Sequence, residues 1–240
     1  MEFSMIPLLL VVMLVLFILA VRRTEKVGLL QARGAKTIYV LICTLILWGI
    51  SNTLLSVAGV YSSPSFLNLM PGLWLPMAPM VMSTGAVLSI TNLRNALFTV
   101  AKYTPQHQLL YFQALRILAL GTLIKAYRGE FPVYFAVFVG IPDLLFGLSA
   151  VIFGNVSRRR SFSRCFLIIW NVVGFIIILP AVPLFQMGLS GAMQVFTAEP
   201  TAMRLLEFPM VLAPTLIVPM FILVNLLAAR QMAISSASGR

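Results

Sequence analysis

Residues 131–153 read FPVYFAVFVGIPDLLFGLSAVIF, an apolar run with a single charge, Asp143, near its middle. As a helix rising 1.5 Å per residue, this run spans about 34 Å, enough to cross the roughly 30 Å hydrocarbon of a bilayer. A helix apolar on every side is buried in a large core or in lipid, and a chain only 10% charged is too poor in charge for a soluble fold. The run therefore reads as a transmembrane helix.

Working backwards, Arg128-Gly129-Glu130 forms a short polar turn, preceded by a second apolar run, 109–127, whose one central charge is Arg116. Extending the search to both ends gives seven segments, approximately 5–21, 37–60, 69–90, 109–127, 131–153, 165–185 and 208–229. The composition agrees: of 240 residues, 60% are hydrophobic and 10% charged. Soluble domains carry about 25% charged residues. No long polar stretch interrupts the pattern, so residues 1–240 are expected to form a single all-α transmembrane domain.

The net charge of +11 is distributed by side. Arg22, Arg23, Lys26, Arg33 and Lys36 follow the first segment, Arg94 and Lys102 the third, and Arg158, Arg159, Arg160 and Arg164 the fifth. Arg230 and Arg240 end the chain. The alternate connections hold Lys125, Arg128 and Arg204, offset by Glu130, Glu199 and Glu207, with Glu2 before the first segment. Positive charge resists translocation, so this alternation predicts an amino terminus outside and a carboxyl terminus in the cytoplasm of a cell inner (plasma) membrane. The basic clusters act as topology signals, and no nucleic-acid partner is expected.

Prolines mark two segments: Pro71, Pro76 and Pro79 in the third, and Pro209, Pro214 and Pro219 in the seventh. Each removes a backbone donor, so Pro76, Pro79, Pro214 and Pro219 are candidate hinges. The shared Pro-x4-Pro spacing suggests a 3+1+3 parallel repeat, as in some small transporters; the other reading is coincidence among proline-rich helices.

A charge in hydrocarbon costs at least about 2.5–3.5 kcal/mol, so deep charges are candidate functional groups. In a hairpin turning near Gly129, residues at equal depth sum to about 258. Arg116 and Asp143 sum to 259, which places them level and within pairing reach. Such a pair serves as a gate, proton site or ligand anchor, or else as a static clasp between helices. Gln113 lies one turn from Arg116 on the same face. Asn171 and Asn225 are further deep polar side chains, read either as part of a polar pocket or as interhelical packing bonds.

Several chemistries find no support. Gly188-Leu189-Ser190-Gly191 is similar to the G-x-S-G of rhomboid-type intramembrane serine proteases, but the sole histidine, His107, falls on the opposite side of the membrane from Ser190. One histidine argues against bis-histidine haem and histidine-rich metal sites. The seventh segment has no lysine for a retinal Schiff base. Cys43 and Cys165 suggest neither a disulfide framework nor a metal site.

The pattern Gln113-x2-Arg116, Gly129, Phe131-Pro132, Phe135-Ala136, Gly140, Asp143 and Gly147 resembles one found in uncharacterised bacterial multi-pass membrane proteins. The ending Phe208-Pro209, Pro214-Thr215, Pro219, Leu226 and Arg230 is similar to their final helix. The resemblance covers about a third of the chain. It implies that the fourth and fifth segments form a signature hairpin, and it brings no activity.

Three readings of function follow. The first is a small transporter or lipophilic-ligand binder with a polar site at Arg116 and Asp143. The second is a structural or assembly subunit packing against other membrane subunits. The third, an intramembrane enzyme, ranks last because no nucleophile and base come together. Membrane lipid is the one partner the composition itself demands.

Overall fold

A computed structural model describes residues 4–160 and 162–237, with side chains described to residue 229. Glu2 and Arg240 lie outside the described residues, as does the side chain of Arg230. Every regular element among the described residues is helical. Among the described residues, six helices are long and apolar enough to cross a membrane, which marks a multi-pass membrane protein.

We number the helices α1 (Ile6–Lys26), α2 (Ala32–Val57), α3 (Pro71–Ser89), α4 (Thr91–Tyr103), α5 (Gln106–Tyr127), α6 (Val133–Ser157), α7 (Arg164–Met187) and α8. The last opens as a π-turn, Ala213–Ile217, and continues as the helix Val218–Ala237. The six long apolar helices are α1, α2, α3, α5, α6 and α7. The apolar part of α8, Ala213–Ala229, is shorter, about 25 Å at 1.5 Å per residue.

The expected boundaries move at several ends. The first segment, placed at 5–21, continues to Lys26, and the second, placed at 37–60, begins at Ala32 and stops at Val57. The helices extend past the apolar runs because Arg22, Arg23, Lys26, Arg33 and Lys36 carry them toward the polar boundary, as long side chains allow. The last segment, placed from 208, becomes regularly helical only at about Ala213, because residues 208–211, around Pro209, form turns.

One element was not expected. Residues 91–103, within the expected connection between the third and fourth segments, form α4. Its apolar positions Leu93, Ala96, Leu97, Val100 and Ala101 follow helical spacing and are buried against α2, α1 and α8. Its mean hydropathy is far too low for a spanning helix, so a search for apolar runs passes over it.

Proline shapes the long helices. α3 is two pieces, Pro71–Trp74 and Met77–Ser89, with Pro76 capping the second and Pro79 buried inside it. α7 loses its regular turn at 177–180, a stretch that ends on Pro180 and precedes Pro183. α6 and α8 share a different device: a π-turn, Ala136–Gly140 or Ala213–Ile217, ends two residues before Pro142 or Pro219. In α8 the missing N–H of Pro219 would have served the carbonyl of Thr215. The indole N–H of Trp48 on α2 donates to that oxygen instead, at 2.9 Å.

The described part of α8 is largely enclosed. Thr215, Leu216, Ile217, Met220, Phe221, Ile222, Asn225 and Ala228 are all buried. One core joins it to α1, α2 and α4. A second, formed by Leu110, Phe146, Ala150, Leu167 and Trp170, holds α5, α6 and α7 together. The charges of α5 and α6 lie where these two cores meet.

Candidate functional site

Arg116 and Asp143 meet. Nη1 of Arg116 donates to Oδ1 of Asp143 at 3.1 Å and to the carbonyl oxygen of Gly174, on α7, at 3.0 Å. The guanidinium carbon lies 4.6 Å from the ring centre of Phe146 and 5.1 Å from that of Phe221. Two aromatic faces thus flank a buried cation, an attraction that reaches about 2 kcal/mol when the cation is desolvated. Phe146 is in turn stacked on Trp170, whose indole N–H donates to Ser149 Oγ.

Irregular backbone brings these groups together. Arg116 sits on a tightened 3-10 stretch of α5, Leu115–Ala119. Asp143 follows the π-turn and Pro142 of α6 directly, and Phe221 stands two residues beyond Pro219 of α8. π-turns inside helices occur often at functional sites. Close approach depends on Gly147: a Cβ there would come within 2.6 Å of the Ile117 nitrogen and 2.9 Å of the Arg116 carbonyl carbon. A Cβ on Gly174 would likewise run into the Phe146 ring.

The two members of the pair differ in access. The Arg116 side chain is fully buried, whereas that of Asp143 is 21% exposed. That exposure opens into a cavity of about 450 Å³ between α1, α5, α6 and α8, lined deep down by Arg116, Asp143, Ile217 and Phe221. Its walls are largely apolar, and its mouth carries Lys125, Arg128 and Glu130 at the α5–α6 turn. A volume of this order accommodates a small organic molecule.

The remaining candidates are distributed around this centre. Gln113 and Asn225 are buried, and neither amide finds a hydrogen-bond partner; Nε and Nη2 of Arg116 also have none. Asn171 donates to the Leu167 carbonyl of its own helix at 2.8 Å. Pro76 and Pro79 lie on α3, outside the cavity lining, and Pro214 and Pro219 lie in and just after the α8 π-turn. The sequence reading missed Phe146, Phe221, Gly147 and Gly174. Phe146 and Gly147 follow Asp143 by one helical turn, a spacing that marks a shared face. Phe221 and Gly174 carry no such marker.

Residues 73–233 match a protein family described as a domain of unknown function (DUF8737). The chain belongs to that family. The matched region runs from α3 into α8, so it contains both charges, both flanking rings and both π-turns, while α1 and α2 precede it. The two segments on which the resemblance was noted fall inside it. No curated protein and no solved structure matches the chain.

Proposed function

We propose that the chain crosses the plasma membrane seven times, amino terminus outside, and binds a lipophilic small molecule in the cavity above Arg116 and Asp143. The observation that carries this reading is the 450 Å³ cavity reaching the partly exposed carboxylate of Asp143. A packing subunit calls for a filled core, and a static clasp calls for a sealed pair; this pair has an open side. The seventh crossing is α8, whose short apolar part is surrounded by other helices. The charge distribution between connections supports the orientation, and the Pro-x4-Pro spacing in α3 and α8 supports their correspondence in a 3+1+3 repeat.

The chemistry of the cavity narrows the ligand. Arg116 already balances Asp143, so a charged head group would leave a net charge in low dielectric, which is costly. A neutral donor is favoured, a hydroxyl or amide N–H reaching the outer oxygen of Asp143, attached to an apolar body that fills the walls. Prolines 76, 79, 214 and 219 are the hinges in this reading.

Gly121 gives a direct test. It lines the cavity, and nothing lies within 4 Å of where its Cβ would be. Protein purified from its native membrane is expected to retain a lipophilic compound identifiable by mass. Gly121→Trp should fill the space and abolish retention without disturbing the pair. Equal retention by a correctly folded Gly121→Trp protein refutes the reading.

A further inference from the structure

We propose that the Asp143 cavity is one half of a path through the protein, closed at its waist by the Phe112–Phe221 ring pair. The inference rests on the ligand-binding reading above and deepens it from binding to passage. It starts from a second cavity of about 380 Å³, lined by α1, α4, α5 and α8 and reaching Arg23 and Gln108 at the opposite end of the bundle. Both cavities run between the same three helices, α1, α5 and α8. Along α5 they extend from Gln108 to Arg128, about 30 Å at 1.5 Å per residue, which is the thickness of the hydrocarbon.

The partition between them is thin. Phe221 lines the Asp143 cavity and Phe112 lines the other, and these two rings meet edge to face with centroids 5.9 Å apart. Met13 of α1, fully buried, belongs to the same core cluster. Phe221 is also one of the two rings flanking Arg116. The cation therefore holds one leaf of the partition, and its carboxylate partner faces the ligand. A ligand donor drawing on Asp143 weakens the hold on Arg116 and, through it, on Phe221. The π-turn at Ala213–Ile217 and Pro219 lie just before Phe221 and give this part of α8 fewer regular backbone bonds to break.

Site-specific thiol labelling tests the path without knowledge of the ligand. In a Cys43→Ser/Cys165→Ser background, single cysteines are placed at Gly121 in one cavity and at Leu227 in the other. Sealed vesicles are then treated with a charged, membrane-impermeant thiol reagent from either side. The Gly121→Cys protein should react from the outside only, and the Leu227→Cys protein from the cytoplasmic side only. Adding Phe112→Ala should abolish this sidedness, so that each cysteine reacts from both faces. If Phe112→Ala does not fold, Met13→Ala thins the same partition from α1. Sidedness that survives a folded partition variant overturns the proposal. So does a Leu227→Cys protein that resists the reagent from both sides, and in that case ligand retention blocked by Gly121→Trp would leave the binding reading standing alone. A Gly121→Cys protein that resists the reagent, combined with no ligand retention, removes both.

Discussion

The buried guanidinium of Arg116 is held by a carboxylate, a carbonyl and two rings, and each compensates part of the cost of removing a cation from water. Removing one charge of such a pair leaves the other uncompensated, typically costing about 3–5 kcal/mol, whereas replacing both by apolar groups of similar volume is often neutral. Arg116→Met and Asp143→Leu are each expected to lower the unfolding free energy in detergent by that amount, and the double variant to recover most of the loss. Two additive losses would show that the pair does not interact. The level placement of these residues was legible because helical rise is constant, so a short turn fixes depth on both sides. Their surroundings were not, because Phe146 and Phe221 look like ordinary apolar filler. Only the approach of α8 to α5 turns Phe221 into a partner for a cation. Gln113, Asn171 and Asn225 were legible as deep polar residues, but not their bonding, which depends on side-chain direction.

At the scale of elements, the contact of α5 with α6 depends on one missing side chain. Gly147→Ala would put a methyl group within 2.6 Å of backbone that cannot rotate away, so α6 must retreat and the 3.1 Å ion pair must lengthen. Overpacking of this kind costs about 1–3 kcal/mol. Gly85 in α3 is the control, since nothing lies within 4 Å of its Cβ position. Gly85→Ala should be neutral or stabilise by up to about 1 kcal/mol through helix propensity. Melting midpoints of the two variants, measured in the same detergent, should move in opposite directions or by clearly different amounts. A Gly147→Ala protein as stable as wild type would mean that the helices are not in this close contact. Apolar run length made the spanning segments readable, and the prolines announced irregularity without its form. The same residue type yields a break in α3 and a π-turn in α6 and α8. The outcome depends on which neighbour can serve the freed carbonyl, as Trp48 does for Thr215. α4 escaped because it buries one apolar stripe and leaves the other side polar, the signature of a helix lying along a surface.

For the whole molecule, the proposed topology requires an odd number of crossings, because it puts the two ends of the chain on opposite sides of the membrane. Six helices meet the length and hydropathy of a span, so the parity depends on α8. Its apolar part is short and carries Asn225, yet most of its residues, Asn225 included, are buried by neighbouring helices, and a helix shielded from lipid can tolerate polar groups that a lipid-facing one cannot. Mismatch in length is also tolerated, at a fraction of a kcal/mol per Å, by local thinning of the bilayer. In the proposed topology α8 crosses, and the two ends of the chain lie on opposite sides. In the Cys43→Ser/Cys165→Ser background, a cysteine at Ser4 should react with an impermeant thiol reagent from outside intact cells. A cysteine appended to the carboxyl terminus should react only after the membrane is opened. Reaction of both from the same side would make α8 re-entrant, leave an even number of crossings, and refute the seven-crossing topology.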